Sequence, residues 1–300
     1  MKITTAIVPV AGLGTRLLPV SQAVPKELLP LGRKPALHLI AEELGRAGIE
    51  RVILVSSNAK QQIANYFQPN PILEKSLLDS GKYELLEQLW SQSEFANVEF
   101  EVVIQQEQRG LGHAVLCAAE RVQDQPVVVA LGDCVMGIGG KSNILQDLVG
   151  VYESNSANVV IGFEEVSEDR VNRFGIADPK APPENGVFEL ADVVEKPDLA
   201  NAPSRYAIAA RYVFGPMIFE SLRETTPGKN NEIQLTDAIR TVIKESGSAF
   251  GVLLQEPRFD MGNIHSYVDA FTRFALADPT LRGDVLNAIQ NDKNGETWKL

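Results

Sequence analysis

AIVPVAGLGTRLLPVSQAVPKELLP, residues 6–30, begins as a strand and ends as a stiff, charged loop. Residues 6–10 are apolar, rich in β-branched side chains and closed by Gly12, the pattern of a short buried strand. The turn made by Gly12 and Gly14 is predicted to feed a helix, and that context exposes backbone N–H groups to an anion. Arg16 follows. Lys26 comes ten residues later, between Pro25 and Glu27, with Pro30 close behind. Prolines fix φ and stiffen the segment that carries the lysine. A guanidinium and an ammonium on one glycine loop suit a polyphosphate. Taken alone, Gly-Leu-Gly-Thr-Arg fits a tight turn with a solvated Arg16 equally well, and Lys26 alone fits an ordinary loop lysine. Two better-known phosphate loops do not match. The dinucleotide fingerprint G-x-G-x-x-G meets Leu17 where its third glycine belongs, and the next predicted strand ends Val55-Ser56-Ser57-Asn58 without an acid for a ribose. The run G-x-x-x-x-G-K-[ST] is absent from the sequence.

Working outward, residues 34–48 carry apolar side chains at helical spacing and stop at Gly48. Residues 51–56 read as a second buried strand, 58–67 as a helix, 98–105 as a third strand, 111–120 as a helix and 126–131 as a fourth strand. Strands alternating with helices in this way predict a doubly wound α/β fold with a mostly parallel, mixed sheet and right-handed crossovers. Residues 69–95 interrupt the alternation with leucines at helical spacing and read as a helical insertion. In the second half, 159–163, 187–195, 207–214 and 250–254 read as strands, 178–185 as a loop, and 232–243 and 266–277 as helices. The polar segment after Pro279 reads as a last helix or a tail.

The chain has 300 residues, 44% of them hydrophobic and 22% charged, with a formal net charge of -11. That balance argues against nucleic acid or an anionic membrane as the main partner, although a local basic pocket can still take an anionic ligand. The apolar run near the N-terminus is short and flows into the glycine turn, so it reads as a strand and not as a signal peptide. No apolar stretch approaches membrane-span length. Two cysteines, Cys117 and Cys134, make no disulfide framework, which points to a reducing, cytoplasmic setting. Cys117, Cys134, His113 and His265 lack zinc-ligand spacing.

Several candidates lie outside the opening loop. Asp133 follows the apolar run 127–131, and the carboxyl end of a buried parallel strand is where α/β sheets bind ligands; a capping aspartate is the ordinary alternative. Gln105 stands at a predicted strand end, five residues before Gly110, and its amide can both donate and accept. Glu195-Lys196-Pro197 closes another strand, where a surface charge pair is the ordinary alternative.

Set in order, PVAGLGTRLLP, VPKELLPL, GLGHAVLCA, VVEKP, NEIQLTDAI and FDMGN resemble the motifs of the sugar-1-phosphate nucleotidyltransferases, over residues 6–277. The resemblance implies one nucleotidyltransferase domain over 1–277, with a nucleotide half at about 1–135 and a sugar-phosphate half at about 136–277; 278–300 would be the terminal helix or tail. It implies transfer of a uridylyl group from UTP to glucose 1-phosphate by in-line attack on the α-phosphorus, with Mg2+, in a homo-oligomer (dimer or tetramer). Ala11 and Gly12 would meet the base; Gly14, Thr15 and Arg16 the triphosphate; Lys26 the reacting phosphates. Gln105 would read the uracil and Gly110 would allow its close approach, Asp133 and Asp260 would hold the metal, and Gly175, Glu195 and Lys196 the sugar phosphate. His113 is assigned no role.

Three positions depart from the uridylyl branch. Gly132 precedes Asp133 where that branch shows L-P-D, a form that looks more like the thymidylyl branch, which uses dTTP, and PVSQAV at residues 19–24 leans the same way. Ala210 stands where glycine is common, and Ile264 where lysine is common. A dTTP-dependent enzyme and a non-catalytic regulatory paralogue are the alternatives this leaves open.

Overall fold

The computed structural model describes residues 2–90, 94–228 and 231–293. The strands in chain order are β1 (Thr5–Pro9), β2 (Arg51–Ser56), β3 (Glu99–Ile104), β4 (Val127–Ala130), β5 (Cys134–Met136), β6 (Val159–Glu165), β7 (Gly175–Pro179), β8 (Val187–Glu195), β9 (Tyr206–Phe214), β10 (Ala249–Leu253) and β11 (Arg258–Asp260), besides a two-residue hairpin at Pro30–Leu31 and Lys34–Pro35. Nine of them form one sheet in the order β3-β2-β1-β4-β9-β6-β10-β8-β7. β1 to β4 run parallel, as do β6 and β10, whereas β9 and β8 run against their neighbours. The sheet is therefore mixed, and β4 against β9 joins the two halves without a break.

Helices cover both faces because side chains alternate along each strand. Ala6 and Val8 of β1 pack into the cluster that contains Leu37, Ile40 and Leu44 of α1 (Ala36–Arg46). Ile7 turns to the other face and packs with Val115, Leu222 and Ile239. These come from α5 (Leu111–Cys117), α8 (Met217–Glu224) and α9 (Leu235–Ser246), with α2 (Gln61–Tyr66), α3 (Pro71–Asp79), α4 (Tyr83–Trp90), α6 (Ala119–Val122) and α7 (Ile144–Asn155) between them in the chain. α3 and α4 are the helical insertion, and residues 91–93 of that stretch lie outside the described residues. α10 (Ile264–Ala277) and α11 (Arg282–Lys293) end the described chain. No helix among the described residues is long and apolar enough to cross a membrane.

One sequence expectation fails at the centre of the fold. The glycine turn does not feed an α-helix. Single 3-10 turns follow at Thr15–Leu17, Val20–Gln22 and Lys26–Leu28, and the first α-helix starts only at Ala36. Pro19, Pro25 and Pro30 each remove an amide donor and crowd the preceding turn, so a continuous helix cannot form here. The loop's amides therefore have no α-helix dipole behind them. Asp178 and Pro179, expected in a loop, close β7 instead. Proline and aspartate are poor strand formers, but β7 meets β9 only at Ile176, so Asp178 and Pro179 pair on the β8 side alone and a missing N–H is tolerated there.

Candidate active site

The strand ends of β1 and β4 open into a cleft of about 500 Å3, lined by Ala11, Gly12, Arg16, Lys26, Gln105, Gly110 and Asp133, together with Glu27, Gln108 and Glu232. Lys26 Nζ lies 2.5 Å from Asp133 Oδ2, with the side chains 15% and 21% exposed. Burial works to lower the Lys26 pKa, yet the facing Asp133 carboxylate and Glu27 outweigh it and hold the ammonium above its ordinary value. Burial likewise works to raise Asp133, and the Lys26 ammonium outweighs it, so that carboxyl sits below its ordinary value. Gly12 lies beside this pair: a Cβ there would be in ordinary contact with Lys26 Nζ, at 3.7 Å.

The lysine loop is braced from beneath by a pair that the sequence reading passed over. Lys60 Nζ donates to Glu27 Oε2 at 2.8 Å, to Glu27 Oε1 at 3.0 Å and to the Val10 carbonyl at 2.8 Å. Burial raises the Glu27 pKa and lowers that of Lys60, each against the pull of the other charge. The pair thus ties the residue beside Lys26 to the strand end that carries Ala11. The acid beside Lys26 was visible in the sequence, but its partner is separated by more than thirty residues and had no motif to mark it.

On the opposite wall, Gln105 is buried, and its Nε2 donates to the Gly110 carbonyl at 3.3 Å and meets His113 Nδ1 at 2.9 Å. Gln108 Nε2 donates to the Ala11 carbonyl at 3.0 Å and so closes this loop over the glycine turn. Gly110 has φ +92, and a Cβ there would stand 2.9 Å from the Ile233 carbonyl oxygen. The close approach has a purpose in the packing: Ile233 N–H donates to the Arg109 carbonyl at 2.8 Å and Gly112 N–H to the Ile233 carbonyl at 2.9 Å.

Asp133 and Asp260 are brought together by a short ribbon. β11 pairs antiparallel with β5 so that Asp260 faces Cys134, and Met261 N–H donates to the Asp133 carbonyl at 2.9 Å. Asp260 Oδ1 accepts from Gly262 N–H at 2.6 Å. Arg16 reaches the same place: a Cβ on Gly262 would lie 2.9 Å from both its Nη2 and Asp260 Oδ1. Two carboxylates at adjoining strand ends, each with a second oxygen, form a hard-oxygen donor set that fits Mg2+ completed by phosphate oxygens and water. Among the described residues no group of three or more His, Cys, Asp or Glu side chains could hold a metal.

The other candidates form a second cluster. Glu195 pairs with Gly175 across β8 and β7, and a Cβ on Gly175 would come within 3.4 Å of Glu195 Oε2. Thr236 Oγ1 donates to Glu195 Oε2 at 2.8 Å, and Lys196 Nζ lies 2.9 Å from Glu195 Oε1. NEIQLTDAI thus touches both sides, with Ile233 on the Gly110 loop and Thr236 on Glu195. Gly175, Glu195, Lys196 and Asp260 are not on the wall of the first cleft. Neither is Thr15, which lines a separate pocket of about 280 Å3 with Leu13 and Lys60. Gly14, at φ +67, sits behind Lys26, where a Cβ would lie 3.6 Å from the lysine's own Cβ.

A family described as Nucleotidyl transferase matches residues 5–275. The chain belongs to that family. The UTP–glucose-1-phosphate uridylyltransferase of Bacillus subtilis (strain 168) is 38% identical over 295 residues, covering 98% of this nucleotidyl transferase and 99% of the relative. The UTP-bound UGPase from Acinetobacter baumannii superposes with a TM-score of 0.88 at 34% identity, over 96% of this chain and 99% of that one. A UDP-glucose pyrophosphorylase complexed with UDP-glucose gives 0.80 at 32% identity, over 92% and 100%.

Within this nucleotidyl transferase one of the departures has a local physical cause, and a second sits in a strained backbone conformation. At Gly132 a Cβ would stand 2.5 Å from Val10 Cγ1 and 3.1 Å from the Pro9 carbonyl oxygen, so Val10 fills the space that a larger residue would need. Gly132 is therefore accounted for locally by its packing against Val10 and the end of β1. Ala210 has φ +62, in the irregular stretch of β9 between Ile208 and Tyr212. An L-residue in that region is strained by roughly 1–2 kcal/mol, but its methyl is buried in the core, which returns about 0.8 kcal/mol. Urea unfolding should therefore place Ala210→Gly within about 1 kcal/mol of the wild type, and Ala210→Val at least about 2 kcal/mol below it, because a β-branched side chain tolerates this φ worst.

Proposed function

We propose that this nucleotidyl transferase moves the uridylyl group of UTP to glucose 1-phosphate, giving UDP-glucose and pyrophosphate. The observation that carries the reading is Lys26 held against Asp133 at the end of the glycine loop, in a cleft whose other wall carries Gln105. A phosphate oxygen of glucose 1-phosphate attacks the α-phosphorus; the bond from that phosphorus to the bridging oxygen breaks, and pyrophosphate leaves with the electron pair. The nucleophile is already an anion, so no strong base is needed. The difficulty is to bring two polyanions together and to spread the transition-state charge, which positioned cations and N–H donors do well in a partly buried site.

In this reading the amides of Gly14 and Thr15, with the Arg16 guanidinium, hold the triphosphate, and Arg16 faces the departing pyrophosphate. Lys26 neutralises the reacting phosphates. Ala11, Gly12 and Gly110 pack against the base, and Gln105 reads its edge. Glu195 accepts sugar hydroxyls, Lys196 holds the sugar phosphate, and Gly175 lets the sugar approach the backbone. Asp133 and Asp260 would hold Mg2+, which when bound draws charge from the phosphate oxygens. A homo-oligomer and a cytoplasmic setting belong to the same reading. The intact set of Arg16, Lys26 and two aspartates favours an enzyme over a non-catalytic paralogue, and the similarity to curated UTP–glucose-1-phosphate uridylyltransferases over nearly the whole chain favours UTP over dTTP. The test is product formation: UTP, glucose 1-phosphate and Mg2+ should yield UDP-glucose and pyrophosphate in equal amounts, and no product from any nucleotide with any hexose 1-phosphate would overturn the proposal.

A further inference from the structure

We infer that His113 is a positioning residue for base selection: it fixes which end of the Gln105 amide faces the nucleotide. This rests on the reading of Gln105 as the reader of the base. The argument starts from a carbonyl. One terminal atom of the Gln105 amide lies 3.3 Å from the Gly110 carbonyl oxygen and 2.9 Å from His113 Nδ1. A carbonyl oxygen only accepts, so the amide atom between them must be the NH2 group. His113 Nδ1 must then accept as well, which places the ring proton on Nε2, where Cys117 Sγ lies at 3.9 Å. Both amide hydrogens are taken, and Gln105 Oε1 has no partner among the described residues. Because Gln105 lines the cleft, the group left for a ligand is a pure acceptor.

That polarity selects a base. Uracil offers an N3–H donor in the middle of its pairing edge, whereas cytosine offers a lone pair at the same atom. An acceptor fixed opposite N3 is favourable with the first and repulsive with the second. Thymine carries the same N3–H, so this device does not separate UTP from dTTP. It also requires a neutral His113. Burial lowers its pKa first, the Arg109 guanidinium lowers it further, and the Glu107 carbonyl and carboxylate pull weakly the other way. The ring is therefore neutral near pH 7, with Nδ1 free to accept. The contact to His113 is the shorter of the two that hold the amide. Without it, Gly110 alone opposes rotation, and the NH2 group can turn toward the base.

The test compares His113→Leu, which keeps bulk and removes the acceptor, with His113→Asn, which can return an oxygen acceptor near the place of Nδ1. Kinetics are measured with UTP and with CTP. His113→Leu should raise KM for UTP about tenfold and shift the kcat/KM ratio toward CTP by at least about fivefold, the order expected for one lost hydrogen bond. Its kcat with saturating UTP should stay within about threefold. His113→Asn should return both quantities to within about threefold of the wild type. A leucine variant with unchanged KM and unchanged ratio would overturn the inference, and so would an asparagine variant that falls with the leucine one. A measurement on the wild type needs no variant: UTP methylated at N3 should lose at least about a hundredfold in kcat/KM, and turnover equal to that of UTP overturns the inference. Wild-type turnover of UTP itself tests the reaction, so the two readings fail separately.

Discussion

Lys26→Met is expected to lower kcat by about two to three orders of magnitude, with KM for UTP moving less than about tenfold. Methionine keeps most of the stem that packs beneath Gly12 and Gly14 and removes only the charge. The effect falls on kcat because the ammonium faces charge that grows as the phosphates react. The partner also changes. Asp133 is half-buried and owes its low pKa to Lys26, so in the variant that carboxyl moves up toward its protonated form. The wild-type pair has a definite pH window. The raised Lys26 pKa contributes stability that is present below the ordinary lysine value and lost as pH rises through the folded one. The lowered Asp133 pKa contributes stability that is present above the ordinary carboxyl value and lost as pH falls through the folded one. The pair is therefore charged across neutral pH, and neither group should put a limb on the kcat profile between about pH 6 and 8. Steady-state kinetics at saturating glucose 1-phosphate read the first effect. A large rise in KM with kcat unchanged would instead make Lys26 a residue of ground-state binding.

Glu43→Gln should cost about 3–5 kcal/mol of stability, because it leaves a buried guanidinium without its counter-charge. Arg211 is fully buried, and its Nη2 and Nε donate to Glu43 at 2.7 and 3.0 Å. The same guanidinium donates to the Ala210 carbonyl at 3.0 Å and to the Cys134 carbonyl at 2.9 Å. It thus pins α1, β9 and the residue after Asp133 to one another. Calorimetry should show a fall in Tm on the order of 10 °C. Replacing both partners, Glu43→Leu with Arg211→Met, should cost clearly less than either single change, because no charge is left unpaired. A Glu43→Gln protein that melts with the wild type would mean that the carbonyls alone satisfy Arg211.

What the sequence made legible follows from where the signal lies. The strands β1, β2 and β4 are short apolar runs bounded by turns, and a local pattern is enough to find them. β5 and β11 have three residues each and exist because they pair with each other across more than a hundred residues; no local window contains that reason. The opening loop misled in one respect, since a glycine turn after a strand promises a helix, and only the spacing of Pro19, Pro25 and Pro30 says otherwise. Residues that line the cleft, such as Arg16, Lys26 and Asp133, were legible as motif members. Those that brace them, Glu27 with Lys60 and Arg211 with Glu43, were not, because a buried ion pair is a property of two distant positions. Thr236 lay inside a recognised motif without an assigned contact, and its hydroxyl on Glu195 supplies one. His113 was set aside as an ordinary helix histidine, and only its distance to Gln105 shows what it holds.

The most direct measurement of the central claim is a side-by-side turnover panel of the purified protein. UTP, dTTP, CTP, ATP and GTP are each supplied with glucose 1-phosphate, with and without Mg2+, and pyrophosphate and sugar nucleotide are quantified together. The account predicts that UTP with Mg2+ gives the highest kcat/KM, one pyrophosphate per UDP-glucose, and a rate that collapses when the metal is chelated. Faster turnover of dTTP than of UTP, or pyrophosphate release that does not require glucose 1-phosphate, would contradict it.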